Sequence, residues 1–185
     1  LRLTAGRSGG ADTVGGAERP WLRVDAPGVV LDAAVRVSLA PPPAARSERL
    51  ALYVQRPGRT RWDWVGQESG ADGLGGTTRQ LGRFELRDDR TAPRVTITAP
   101  AVDVAAAPRP AIAATVTDAL AGVTWRTIDV TLDQVPQIVV YDPESDTVTG
   151  RSRRALAPGL HTLRVVARDR AGNRTVVDRS FRVAS

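Results

Sequence analysis

A stretch of regular alternation near the C-terminus constrains the fold of this chain more than any other feature. Between Leu156 and Asn173 the sequence runs LAPGLHTLRVVARDRAGN. After a Pro-Gly corner, apolar residues recur at every second position from Leu163 to Ala167, which is the period of a β-strand that packs on one face. The segment that begins at Asp169 has the composition of a turn. The stretch therefore predicts one strand with a corner before it and a chain reversal after it.

This stretch resembles the end of bacterial immunoglobulin-like and fibronectin type III-like modules of secreted proteins. Those modules commonly follow a pattern similar to L-x-P-G-x-H-x-L-x-V-x-A-x-D-x-A-G-N. Upstream, the Asp-Arg-Thr-Ala-Pro boundary at 89–93 and the segment 118–141 resemble the opening and the middle of the same modules. The resemblance covers about half of the chain. It implies an antiparallel β-sandwich over residues 91–185.

The first half of the chain also alternates. LALYVQ at 50–55 and RWDWV at 61–65 are separated by a turn-rich spacer, which predicts a β-hairpin. In this hairpin we expect Leu50, Leu52 and Val54 to pack against the two Trp side chains of the second strand. The half resembles a sandwich of large secreted or periplasmic bacterial proteins. The tandem of this half with the immunoglobulin-like module after it is similar to the C-terminal region of some secreted lysostaphin-like zinc metallopeptidases that cut peptidoglycan.

Length agrees with two domains, because sandwich modules run to roughly 100 residues each and the chain has 185. We therefore predict an all-β protein of two tandem antiparallel sandwiches, at residues 20–90 and 91–185. Residues 1–19 are rich in Gly and show no period, so we interpret them as a loop or linker remnant. The sequence begins without Met, and we expect a covalently linked domain upstream.

Composition argues against several classes of function. All 26 basic residues are Arg, and the net charge of +6 is spread evenly along the chain rather than gathered in a stripe. Nucleic-acid binding usually needs such a stripe with aromatic platforms, so we expect no nucleic-acid partner. The absence of Cys excludes disulfides and thiol chemistry. No apolar run approaches about 18 residues, so we expect no transmembrane segment.

The inventory of reactive side chains argues against catalysis. Catalytic zinc usually takes three protein ligands with His prominent among them, and this chain has one His, His161, and no Cys. No G-x-S-x-G elbow occurs either. We interpret His161 as a corner residue whose ring hydrogen-bonds the backbone. The chain is expected to be no enzyme and to hold no cofactor, whereas the resemblance to the C-terminal region of lysostaphin-like enzymes implies that the protein it comes from is a zinc metallopeptidase.

Two weaker kinds of site stay open. Calcium takes several oxygen ligands, and related sandwiches bind it near module junctions, but no D-x-[DN]-x-[DN]-G loop occurs here. The calcium candidates are Asp89, Asp118, Asp169 and Asn173. Exposed Trp rings bind glycans by stacking, although Trp in an alternating strand is more often part of the core. The candidates for ligand contact are Trp62, Trp64 and Trp125.

Together these observations favour a non-catalytic, extracytoplasmic pair of modules. Such a pair would space, stabilise or target a partner domain at the bacterial envelope. The alternative is an adhesive surface protein that itself binds cell-wall glycan or peptidoglycan. A third interpretation, an enzyme fragment in its own right, has the least support from the residues present.

Overall fold

The computed structural model describes residues 2–14, 17–43, 47–102 and 106–184. Every regular element in these ranges is a β-strand, and the strands of each sheet pair antiparallel. The same ranges hold no helix with the length and apolarity that a membrane crossing requires. The chain divides into two compact units, Leu1–Arg90 and Thr91–Ser185. The prediction of an all-β fold is confirmed.

The first unit consists of two sheets. Its strands are β1 (Arg2–Val14), β2 (Ala17–Asp25), β3 (Val35–Leu39), β4 (Leu50–Gln55), β5 (Asp63–Gly66), β6 (Glu68–Gly70), β7 (Gly73–Thr78) and β8 (Gly82–Asp88). Five of them form a sheet in the order β1-β2-β8-β4-β5, and three form a sheet in the order β3-β7-β6.

The core of the first unit is built by both of these sheets. β8, at the centre of the larger sheet, and its neighbour β4 supply most of the buried apolar side chains, and β3 adds one. The buried residues are Val37, Leu50, Leu52, Val54, Phe84 and Leu86. Leu39 and Leu74 from the smaller sheet pack against them. Because one core is shared by two sheets, this unit is a β-sandwich.

The Trp side chains of the hairpin lie on the face of β4 opposite to its Leu and Val residues. Ala51 and Tyr53, which alternate with the core residues, are also fully buried. Trp64 is paired with Tyr53 in the ladder, and their rings meet edge to face at 5.4 Å. Trp62 lies under the guanidinium of Arg87, on the same face. The prediction that both Trp side chains pack against the Leu face is therefore wrong, because the ladder register places Trp64 opposite Tyr53.

The prediction of a loop over residues 1–19 is also wrong for the residues described there, 2–14 and 17–19. β1 extends along β2 as an antiparallel partner, beginning with Arg2 opposite Asp25. A neighbouring strand satisfies backbone hydrogen bonds whatever the side chains are, so a Gly-rich segment without a period can still be extended. Gly6 is opposite Trp21, and a Cβ at Gly6 would lie 2.7 Å from the indole ring. Glycine at this position therefore leaves room for the ring over β1.

The second unit has the strand order of an immunoglobulin-like sandwich. Its strands are β9 (Arg94–Ala99), β10 (Ala111–Thr117), β11 (Val123–Leu132), β12 (Val135–Pro136), β13 (Val139–Asp142), β14 (Thr147–Arg151), β15 (Gly159–Asp169) and β16 (Arg174–Val183). One sheet has the order β13-β14-β10-β9 and the other β12-β11-β15-β16. These are the ABED and CFG sheets of the constant-type immunoglobulin fold, with the two-residue β12 added to the second.

Alternation along β15 builds the centre of the second core. Leu163, Val165 and Ala167 are fully buried, whereas Arg164 and Arg168 on the opposite face are exposed and Val166 between them is 8% exposed. Side chains from both sheets meet them. The buried partners include Ile97, Ile112, Val116, Val130, Leu132, Val148 and Phe181. The strand register that the sequence predicts for β15 is confirmed.

Candidate functional site

His161, the only histidine of the chain, links two loops at one end of the second unit. It lies near the start of β15, where its Nδ1 is 2.6 Å from Oδ2 of Asp133 and its Nε2 is 2.8 Å from the carbonyl oxygen of Ala157. The side chain is 12% exposed, and its ring packs 5.9 Å from that of Phe181. His161 bonds the backbone, as the sequence predicts, and in addition bonds a carboxylate.

The two hydrogen bonds of His161 require a protonated ring. Both acceptors are oxygens, so both ring nitrogens must donate, and only the imidazolium carries two N–H groups. The hydrogen bond to Asp133 is the main cause that raises the pKa of His161 above 6.5, burial opposes it, and the Ala157 carbonyl adds to the rise. Burial raises the pKa of Asp133, but hydrogen bonds from His161 and the Thr162 amide hold it below 3.8.

A tight turn between β11 and β12 positions Asp133. Asp133 and Gln134 both have positive φ, at 48° and 68°, which is the geometry of a two-residue type I′ hairpin turn. The Asp133 amide donates to the carbonyl of Thr162, and the Thr162 amide donates back to Oδ1 of Asp133, each at 2.9 Å. These bonds attach the turn to β15, so that the carboxylate faces the His161 ring.

A cavity of about 520 Å³ opens beside this link. One wall is the hairpin segment 132–137 and the other is the segment 152–157. Because Asp133 lines the first wall and Ala157 the second, the His161 hydrogen bonds connect the two. Segment 152–157 is further attached to the sandwich, since the amides of Ser152 and Leu156 donate to the carbonyls of Pro110 and Pro108. Hydrogen bonds therefore attach both walls of the cavity to the sandwich.

Three of the calcium candidates lie at the loop ends of the second unit. Oδ2 of Asp118 accepts the amides of Leu120 and Gly122, at 3.0 and 2.7 Å. Both carboxylate oxygens of Asp169 accept hydrogen bonds from Asn173. Oδ1 accepts from the backbone amide at 2.8 Å, and Oδ2 accepts from the side-chain Nδ2 at 2.7 Å. Asp118 and Asp169 therefore cap their own turns.

The structure brings two of these carboxylates close together. A carboxylate oxygen of Asp118 lies within 4.8 Å of one of Asp169. Oδ1 of Asp118 is buried and has no hydrogen-bond partner in the part of the chain that is described. Asp89 belongs to the first unit, where it is 2% exposed and its amide donates to the Arg49 carbonyl at 3.3 Å. A calcium ion takes six to eight oxygen ligands, so calcium stays a prediction for these residues.

The three Trp candidates differ in exposure. Trp62 and Trp64 are half-buried against Arg87 and Tyr53 of the first unit. Trp125, in the second unit, is 68% exposed. It lies in β11 between Val123 and Ile128, where the pairing with β15 shifts register.

The register shift turns Trp125 and Arg126 outward together. The hydroxyl of Thr127 accepts the Thr124 amide at 3.1 Å and donates to the Thr124 carbonyl at 3.0 Å, which stabilises the irregular backbone. The guanidinium of Arg126 lies 5.0 Å from the centroid of the Trp125 ring. β-bulges commonly redirect side chains in this way. Trp125 and Arg126 thus form an exposed aromatic and cationic pair.

Sequence reasoning missed an Arg-Glu-Arg cluster on β8. Glu85 is 2% exposed, and its two carboxylate oxygens lie 2.6 Å from Nη2 of Arg83 and 2.9 Å from Nη1 of Arg87. The guanidiniums of these arginines lie over the rings of Trp21 and Trp62, at 5.1 and 4.4 Å. Charged residues at alternate positions of a strand whose other face is apolar were the available signal. The cluster covers the outer face of the five-stranded sheet.

Comparison with known proteins gives similarities to solved structures but none to a family model or a curated protein. The fibronectin(III)-like modules of CbhA from Clostridium thermocellum are similar to it with a TM-score of 0.41 and 14% sequence identity. The alignment covers 98% of this chain and 94% of that chain. The fold of the second unit is assigned from its own strand order and core.

Proposed function

We propose that the chain is a non-catalytic, extracytoplasmic pair of accessory modules at the bacterial envelope. In this role it spaces, stabilises or targets a covalently linked partner domain, and the resemblance described above makes a peptidoglycan metallopeptidase the proposed partner. The observation that carries the proposal is that each unit encloses its own apolar core between two sheets. Sandwiches of this kind serve in many proteins as rigid spacers and binding modules.

The use of the polar side chains supports this proposal. His161 and Asp133 join two loops, and Asp169 caps the turn between β15 and β16. Asp142 accepts the Glu144 amide at 2.9 Å and so caps the hairpin turn between β13 and β14. These groups, which could otherwise act in acid-base chemistry, are engaged in the local structure.

Activity measurements test the accessory role. The chain alone should release no soluble fragments from purified peptidoglycan and should bind no stoichiometric zinc, because it has one histidine. In the native protein, deletion of this region should spare cleavage of a small soluble substrate and reduce cleavage of intact cell walls. Turnover by the chain alone, or equal loss on both substrates, would contradict the proposal.

Glycan binding is the second candidate function, and Trp125 is the observation that favours it. An exposed indole beside a guanidinium offers a stacking face for a sugar ring and a donor for its hydroxyls. In this alternative the chain itself makes the contact with cell-wall glycan or peptidoglycan.

Co-sedimentation with purified cell walls tests this alternative. If the pair binds glycan, Trp125→Ala should remove most of the bound protein. Leu160→Ala is the matched control, because Leu160 is an apolar residue of the same unit that is also 68% exposed. Equal binding by all three proteins would reject Trp125 as the contact.

A further inference from the structure

His161 lies at the corner where the chain enters β15, a position that a tyrosine holds in many immunoglobulin-like sandwiches. In those sandwiches the tyrosine hydroxyl bonds to the backbone a few residues upstream. Here Nε2 of His161 is 2.8 Å from the carbonyl oxygen of Ala157, four residues upstream. A tyrosine hydroxyl keeps its proton up to about pH 10, whereas an imidazolium loses one near about pH 6.5. Histidine therefore makes the hydrogen bonds of this corner depend on pH where tyrosine would not.

The two contacts of the His161 ring cannot both persist when the ring is neutral. Nδ1 faces the carboxylate of Asp133 at 2.6 Å and Nε2 faces the Ala157 carbonyl, but a neutral imidazole has one N–H. A proton on Nε2 would leave the Nδ1 lone pair against a full negative charge. A proton on Nδ1 retains the hydrogen bond to the charged acceptor, which is the stronger of the two. The neutral ring therefore carries its proton on Nδ1, and its Nε2 lone pair opposes the Ala157 carbonyl.

The two partners of the ring differ in how they are attached to the unit. Asp133 is bonded to the backbone of β15 through its amide and through Oδ1, each at 2.9 Å. Within residues 155–158, the one other described hydrogen bond to the rest of the unit joins the Leu156 amide to the Pro108 carbonyl at 2.8 Å. Leu156 is half-buried, and the other three residues of this segment are exposed. Loss of the bond to Ala157 therefore releases residues 155–158 and leaves the hairpin in place.

Asp133 is the charged side chain that contacts the ring. The hydrogen bond to it is the main cause that raises the pKa of His161 above 6.5. β16 presents the uncharged ring of Phe181 at 5.9 Å. The charged residues next to the released segment, Arg153 and Arg154, are exposed, so water and salt screen their charges. The ring is therefore protonated below pH 6.5 and becomes neutral as pH rises through its folded pKa.

We propose that His161 is a proton-dependent link that controls the position of residues 155–158. The protonated ring holds them against the hairpin, and the neutral ring releases the Ala157 carbonyl, so that they move away from the cavity of about 520 Å³ that they border. The buried core residues lie outside this segment, so the sandwich stays folded in both states. The proposal goes beyond the accessory role and does not depend on it, because a spacer with or without this link would pass the activity tests above.

Hydrogen exchange of backbone amides, followed by NMR in the full chain, tests the release. Rates are measured from about pH 6 to about pH 9, where a histidine with a raised pKa titrates, and are corrected for intrinsic exchange. The corrected rate of the Leu156 amide should rise about tenfold or more, the factor for loss of one hydrogen bond to a charged group. The Thr162 amide, bonded to Asp133, is the internal control and should not change. An unchanged Leu156 amide, or an equal rise at Thr162, would overturn the proposal.

The nitrogen chemical shifts of the His161 ring test the tautomer without any substitution. The neutral ring should carry its proton on Nδ1, and the midpoint of its titration should coincide with the midpoint of the rise at Leu156. A neutral ring protonated on Nε2, or two different midpoints, would contradict the proposal.

His161→Gln gives the matched variant, since glutamine does not titrate in this range. Its Leu156 amide should exchange at the same corrected rate at both ends of the pH series. A rise that persists in this variant would show that another group controls the segment.

Discussion

At the scale of single residues, neighbouring positions of β15 carry very different shares of the stability. Val165 is fully buried between the sheets, whereas Arg164 is exposed and paired with Asp178. Because successive side chains of a strand point to opposite faces, two neighbouring residues can lie one in the core and the other in solvent.

We expect Val165→Asp to lower the free energy of unfolding by about 3 kcal/mol or more, since it buries a carboxylate without a partner. Arg164→Ala should cost little, because an exposed ion pair is screened by water and salt. Thermal unfolding of both variants measures the contrast. Equal losses would show that β15 is in a different register.

The pair of His161 and Asp133 should make stability depend on pH in a defined direction. The pKa of His161 is raised in the folded state, so its contribution is fully present below pH 6.5 and is lost as pH rises through the folded pKa. The pKa of Asp133 is lowered, so its contribution is present above pH 3.8 and is lost as pH falls through the folded pKa. The pair therefore stabilises the fold between these two folded-state pKa values.

Comparison with His161→Gln over a range of pH checks this direction. The melting temperature of the parent should exceed that of the variant most clearly near and just below pH 6.5, and the difference should shrink at alkaline pH. Because the chain has one histidine, its ring protons give a single titration in NMR spectra. A titration midpoint below 6.5 would contradict the hydrogen bond to Asp133.

At the scale of elements, β8 packs apolar residues on one face and a charged cluster on the other. Glu85 is buried between Arg83 and Arg87, which are 37% and 20% exposed. Removing one partner of a buried ion pair leaves the other charges uncompensated. We expect Glu85→Ala to destabilise the first unit by about 2–3 kcal/mol, less than for a fully buried triad because both arginines retain access to water.

Glu68→Ala is the control for this element. Glu68 lies 2.6 Å from Arg36, as close as Glu85 lies to Arg83, but the side chains of Arg36 and Glu68 are 49% and 64% exposed. Its loss should cost about 0.5 kcal/mol or less. Urea unfolding of the two variants compares them, and similar losses would show that burial does not determine the value of the β8 cluster.

At the scale of the whole molecule, the described cores are separate. The core of the first unit draws on residues 22–86, and that of the second on residues 95–183. Domains with their own cores fold independently as a rule. We therefore expect residues 91–185, expressed alone, to unfold cooperatively and to give dispersed NMR spectra.

The reverse outcome has a clear signature. If residues 91–185 stay unfolded while the full chain folds, the second core depends on the first unit. The boundary at Arg90 then does not separate two independently stable domains. The control is a shorter fragment, residues 100–185. It lacks β9 and should therefore fail to fold.

The sequence by itself determined the local features of this protein. The alternation from Leu163 to Ala167 predicted the buried face of β15, and the composition of the segment that begins at Asp169 predicted the turn after it, because both depend on neighbours a few residues away. Tertiary structure decided the rest. β1 is a strand because β2 lies beside it, Trp64 meets Tyr53 because of the ladder register, and His161 meets Asp133 across 28 residues. Such long-range pairings depend on how strands align, which local periodicity does not specify.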